Sequence, residues 1–80
     1  MVKQRVKFTF PENLIKEPVI YQLGMKFQVV TNIRRADVEE SKGWVVLELE
    51  GAQQAIDDSL RWVRQQGVIV APVTGDVIEG

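Results

Sequence analysis

The second half of the chain, residues 42–73, reads as a strand, a helix and a strand with almost no sequence between them. Residues 44–50 place valine or leucine at every second position, as in a strand that buries one face. Apolar residues then recur at helical spacing over residues 52–63, Gly67 is a typical helix end, and residues 68–71 form a short apolar run. This pattern predicts a β-α-β unit and restricts the folds that are open to the first half.

The first half repeats the same order of elements. Residues 2–10 alternate between charged and apolar side chains, which predicts a strand with one solvent-exposed face. A short helix is expected to begin at Pro18, since proline is tolerated at the first helical position. Residues 27–35 read as the second strand, and the polar residues 36–41 read as the loop of a hairpin that leads into the third strand.

The predicted order is therefore β-α-β-β-α-β. Right-handed crossovers put both helices on one face of a four-stranded antiparallel sheet with the strand order 4-1-3-2, which is the ferredoxin-like α+β fold. Pro72 should lie on an edge strand, because proline cannot donate to a central ladder. We expect one domain over residues 1–73 and a flexible tail over residues 74–80. The predicted core consists of Val6, Phe8, Val29, Ile33, Val45, Leu47, Leu49, Ile56, Leu60 and Val63.

Composition excludes several classes of function. Ten lysine and arginine residues face eleven aspartate and glutamate residues, so the net charge of −1 gives no general attraction to nucleic acid. The absence of cysteine excludes disulfides and iron–sulfur clusters, and the absence of histidine removes the commonest general base. No stretch approaches the roughly 20 apolar residues of a membrane helix. We therefore expect a cytoplasmic protein that is not an enzyme and has no cofactor.

One ordered set of short motifs carries a family resemblance. It consists of the run Val30-Thr31-Asn32-Ile33, a polar loop with Gly43, the alternating strand that follows, Gly51, a helix, and Gly67-Val68. This set resembles the NIL domain, a family named after an Asn-Ile-Leu tripeptide on its second strand. The resemblance covers about residues 3–73 and implies a ferredoxin-like fold.

The resemblance also implies a function. NIL domains occur at the C-terminus of bacterial methionine-importer ATPases, where they bind methionine and inhibit transport, and others are fused to ferredoxins or stand alone. This sequence has neither a nucleotide-binding loop nor cysteine, so it resembles the domain detached from either partner. Two positions differ, since Arg34 stands where the family usually has leucine and Asp37 where the importer version can carry a second asparagine. The implied ligand, methionine or a similar amino acid, makes Asn32, Ile33, Arg34, Arg35 and Asp37 the candidate ligand-binding residues.

The polar residues of the second strand have two interpretations. Asparagine has a poor strand propensity, so Asn32 either meets the polar groups of an amino-acid ligand or hydrogen-bonds a loop or bulge. Arg34 and Arg35 either bind a ligand carboxylate or protect an edge strand from unwanted pairing.

An interface is predicted on the sheet face opposite the helices. Val30, Trp44 and Val46 are expected to lie together there as an exposed apolar group. We therefore expect a homodimer that uses the edge of the second strand, this face or both. The alternative function is a protein-interaction module that docks to a transporter ATPase or to a ferredoxin-type redox protein.

Two other functions of the same topology are disfavoured. RNA-recognition domains carry stacking aromatic residues on the third and first strands, but Val46 and Leu49 occupy this third strand and the first strand offers no stacking aromatic residue. Acylphosphatases need a phosphate-binding loop, and residues 11–17 contain no glycine.

Overall fold

Four strands and two helices follow one another in the order β-α-β-β-α-β along residues 1–73, the part of the chain that this computed structural model describes. The predicted tail, residues 74–80, lies outside the described residues. The strands are β1 (Val2–Phe10), β2 (Val30–Val38), β3 (Gly43–Gly51) and β4 (Ile69–Pro72). The helices are α1 (Val19–Phe27) and α2 (Gln53–Gln66), and a short 3-10 turn covers Glu12–Leu14.

The strands form one antiparallel sheet in the order β2-β3-β1-β4. This is the predicted order read from the other edge, and β4, which contains Pro72, is an edge strand as expected. Both helices pack on one side of the sheet, which we call the helix face, and we call the other side the open face. The ferredoxin-like fold is therefore confirmed.

The core lies between the helix face and the two helices. Phe8, Leu47 and Leu49 from the two central strands are fully buried there, together with Leu23 of α1 and Ile56 of α2. The full set of buried apolar residues is Val6, Phe8, Phe10, Val19, Leu23, Val29, Val45, Leu47, Leu49, Ile56, Leu60, Val63 and Val68. Nine of the ten predicted core residues belong to this set, because the period of the polarity pattern identifies the buried face of each central element.

Ile33 is the exception, and its prediction as a core residue was wrong. It lies opposite Leu47 on the helix face, yet 55% of its surface is exposed. β2 is an edge strand of the described sheet, so Ile33 has a neighbouring strand on one side only. α1 comes close to the beginning of β2 at Gly24, where an added Cβ would lie 3.3 Å from the carbonyl oxygen of Val29 and 4.0 Å from Thr31.

Strand β2 is also displaced relative to its prediction. It runs over Val30–Val38 rather than residues 27–35, because α1 continues to Phe27 and residues 36–38 extend the strand. The nine-residue strand β3 supplies a backbone partner along this whole length, so polar side chains do not end the pairing. The register shifts between Ile33 and Arg35, which makes Arg34 the extra residue of a β-bulge.

We expect the substitution Gln28→Gly to stabilise the protein by about 0.5–1 kcal/mol. Gln28 ends α1 in the left-handed conformation, with φ of 54°, which costs free energy for any residue with a Cβ. Its side chain is exposed, so glycine loses little packing there. Thermal unfolding of the two proteins measures the change, and an unchanged or lower midpoint would contradict the prediction.

Candidate functional site

The register of the strands determines which side chains share the open face. Lys7 of β1 lies opposite Val46 of β3, which in turn lies opposite Arg35 of β2. Directly opposed residues share a face, so these three side chains form one row. The row on one side holds Arg5, Glu48 and Asn32, and beyond it lies a row of Lys3, Glu50 and Val30. The row on the other side holds Thr9, Trp44 and Asp37.

The bulge in β2 brings two consecutive arginines to the open face. In a regular strand Arg34 and Arg35 would point to opposite faces. The extra residue interrupts this alternation, and both side chains line the same cavity. The bulge therefore concentrates positive charge at one point of an exposed edge strand.

The third basic side chain of this cavity comes from β1. Arg5, Arg34 and Arg35 line an open depression of about 330 Å³ together with Val46 and Val73, and we call it the arginine cavity. The guanidinium group of Arg5 lies 3.6 Å from a carboxylate oxygen of Glu48, and both side chains are about four-fifths buried. Within residues 1–73, no carboxylate lies at ion-pair distance from Arg34 or Arg35.

The arginine cavity suits a small anion that carries a planar oxygen pair. A guanidinium group offers parallel N–H donors that match the two oxygens of a carboxylate. Because Arg34 and Arg35 have no carboxylate partner among the described residues, an incoming anion need not displace one. Val46 and Val73 are its apolar lining residues, and Trp44 lies two residues from Val46 on the same face of β3.

The other predicted ligand-binding residues fall on both faces of β2. Asn32 and Asp37 are exposed on the open face, opposite Glu48 and Trp44. Ile33 points to the helix face, away from the arginine cavity. Of the five predicted residues, the structure brings only the two arginines into one cavity.

The predicted apolar group is divided. Val30, Trp44 and Val46 all lie on the open face, but Val30 lies opposite Glu50, which is four positions from Val46 or about 13 Å along the strand. The prediction that Val30 joins the other two was therefore wrong. Trp44 is half-buried, and the amino group of Lys7 lies 5.1 Å from the centre of its ring, a cation–π distance.

A second depression lies on the helix face, between the start of α1 and the end of β2. It measures about 220 Å³ and is mostly apolar, with Glu17 as its one charged lining residue. Its walls include Phe10, Ile15, Ile20 and Val38.

Sequence reasoning missed Arg5 as a member of the site. The residue belongs to an ordinary alternation of charged and apolar residues, and nothing in that pattern distinguishes it from Lys3 or Lys7. Only the register between β1, β3 and β2 aligns Arg5 with Glu48 and Asn32.

Among residues 1–73, no helix is long and apolar enough to cross a membrane. The same residues contain no group of three or more acidic side chains arranged to hold a metal ion.

Comparison with known proteins gives a matching family model and similar solved structures. The family model described as the NIL domain matches residues 4–72. The C-terminal domain of an ABC transporter ATP-binding protein from Enterococcus faecalis has a similar fold, with a TM-score of 0.78 and 19% sequence identity. That similarity covers 91% of this chain and 86% of the other. No curated protein sequence matches this chain.

Proposed function

The chain belongs to the NIL domain family, and we propose that it is a small, non-enzymatic regulatory module that binds methionine or a similar amino acid. The observation that carries this proposal is the arginine cavity, where Arg34 and Arg35 have no carboxylate partner within residues 1–73. The similar fold of a transporter ATPase's C-terminal domain supports a regulatory role beside such a protein. An ATPase partner also favours a cytoplasmic location, where ATP is available.

The groups of an amino acid have suitable partners on the open face. The carboxylate would accept hydrogen bonds from the guanidinium groups of Arg34 and Arg35. Asp37 and the amide oxygen of Asn32 are exposed acceptors, but they lie opposite Trp44 and Glu48, about 13 Å apart along the strand, so only one of them can meet the ammonium group. A flexible thioether side chain would lie along Val46 toward Trp44, where sulfur–aromatic contact contributes about 0.3–1.5 kcal/mol.

We expect methionine to shift the backbone amide resonances of residues 31–37 first in a titration followed by NMR. The substitution Arg34→Gln should weaken binding at least about tenfold, since a hydrogen bond to a charged group contributes about 1.5–3 kcal/mol. Asn32→Ala should also weaken it. A matched control is Arg64→Gln, which removes the same charge from the exposed surface of α2.

Analogues of methionine identify the group that is recognised. Methioninol keeps the ammonium and thioether groups but lacks the carboxylate, so we expect it to give no shifts at the concentrations where methionine does. Equal shifts with both compounds would contradict binding through the arginines. Unchanged spectra at millimolar methionine would exclude the amino acid altogether.

The alternative function is docking to a transporter ATPase or a ferredoxin-type redox protein, and the charge of the open face favours it. The basic residues of this face outnumber its acidic ones, although the whole chain has a net charge of −1. The basic set is Lys3, Arg5, Lys7, Arg34 and Arg35, and the acidic set is Asp37, Glu48 and Glu50. Such a face complements an acidic protein surface.

We also propose that the module is a homodimer. Eight of the nine residues of β2 are exposed, and this edge strand carries large apolar side chains at Val30, Ile33 and Val38. An edge of this kind is a template for pairing with another chain.

A further inference from the structure

Strand β2 is the long unpaired edge of the described sheet. It ends the order β2-β3-β1-β4, so one side of its backbone faces no other strand within residues 1–73. The opposite edge, β4, has four residues and ends at Pro72, which lacks an N–H group. Short length and proline are common means of protecting an edge, and β2 has neither, although its bulge and its charged side chains are two further means.

The charges along β2 change sign at one residue. Arg34 and Arg35 precede Ala36, and Asp37 follows it, with Glu39 and Glu40 just beyond the strand. When such a segment pairs with a second copy of itself in the antiparallel direction, the basic half of each copy lies against the acidic half of the other. The segment is therefore complementary to itself in charge.

The alternation of side chains restricts the register of this pairing. A two-fold axis perpendicular to the sheet keeps the helices of both copies on the same side, and directly opposed residues must then share a face. Beyond the bulge, the axis can thus pass beside any residue from Arg35 to Val38, and an axis at Val38 would set Asp37 against Glu39, which is repulsive. An axis at Arg35 or at Asp37 sets that residue against its own copy, which is repulsive. An axis at Ala36 sets Arg35 against Asp37 twice.

We propose that two copies of this chain pair through their β2 edges, centred on Ala36, so that Arg35 of each lies opposite the partner's Asp37. The inference deepens the homodimer proposed above and does not depend on the ligand. Arg35 and Asp37 lie on the open face, opposite Val46 and Trp44, so the ion pairs form beside the arginine cavity. The result is one eight-stranded sheet with all four helices on one side.

Charge reversal at these two positions tests the register. We expect Arg35→Glu alone, and Asp37→Arg alone, to raise the dimer dissociation constant at least about tenfold, because each change replaces two attractive pairs by two repulsive ones. Sedimentation velocity from micromolar to millimolar protein measures this constant. Arg64→Glu makes the same change of charge as Arg35→Glu but on α2, and it should leave the constant unchanged.

Mixing the two variants is the decisive measurement. A chain with Arg35→Glu and a chain with Asp37→Arg restore both opposite-charge pairs with each other, so the mixture should form a heterodimer as stable as the native dimer. Native mass spectrometry distinguishes the three possible dimers by mass. Because each variant regains the ability to form a dimer when its counterpart is added, simple misfolding cannot produce this result.

The outcomes separate this inference from the rest of the proposed function. A native protein that stays monomeric at millimolar concentration would overturn the homodimer and its register, and would leave the methionine titration as an independent question. A native dimer that tolerates both single reversals, or a mixture that fails to associate, would overturn only the register. Arg35 would then protect the edge strand from unwanted pairing.

Discussion

Replacing Leu23 by alanine should lower the free energy of unfolding by about 2–5 kcal/mol. Leu23 is fully buried, and it is one of only two residues of α1 that are buried. The loss combines the removal of buried apolar surface with the cavity that remains. Since a domain of this size is stable by about 5–15 kcal/mol, denaturant unfolding would show a large shift in the midpoint.

The matched control lies in the same helix. Met25 is 67% exposed, so Met25→Ala should change stability by less than about 0.5 kcal/mol. Leucine, methionine and alanine all favour helices, and the comparison therefore isolates burial from helix propensity. Equal losses in the two variants would mean that α1 packs on the sheet through a different side from the one described above.

Replacing Gly67 by alanine should cost about 1–2 kcal/mol. Gly67 ends α2 with φ of 105°, a conformation that residues with a Cβ rarely adopt. Its N–H donates to the carbonyl of Arg64, and the N–H of Val68 donates to the carbonyl of Val63, as in a Schellman motif. Strain at Gly67 therefore also disturbs the entry of β4 into the sheet.

A second variant separates strain from contact. An added Cβ would lie 3.4 Å from a methyl group of Leu14, which is a tolerable contact with a flexible side chain. Gly67→Asn adds a larger side chain but accepts left-handed conformations better, so it should cost less than Gly67→Ala. Thermal unfolding decides, since about 1 kcal/mol corresponds to about 4–8 °C for a domain of this size. A larger loss with asparagine would show that contact dominates.

The pattern of polar and apolar residues was sufficient to predict the helices, the strands and the topology of the sheet. Strand β3 and helix α2 were predicted to within a residue or two, because β3 alternates and α2 keeps a helical period that ends at a glycine. Once the order of six elements is known, the handedness of crossovers leaves few arrangements. The predicted position of Pro72 on an edge strand followed in the same way.

The sequence was less informative for β2, which lies at the edge of the sheet. Eight of its nine residues are exposed, so burial imposes no alternation of polarity on them. The pattern therefore specified neither the end of the strand at Val38 nor the bulge at Arg34. The burial of Ile33 was mispredicted for a related reason, since a residue of an edge strand has a neighbouring strand on one side only.

The sequence alone predicted only some of the residues of the candidate site. Adjacent arginines in the sequence indicated an anion site, but a regular strand would have separated them onto two faces. Local pattern determined the elements, their order and the core, because each of these depends on residues close together in the chain. Tertiary structure alone decided the bulge and the place of Arg5 in one cavity with Arg34 and Arg35, because these depend on register between strands that are distant in sequence.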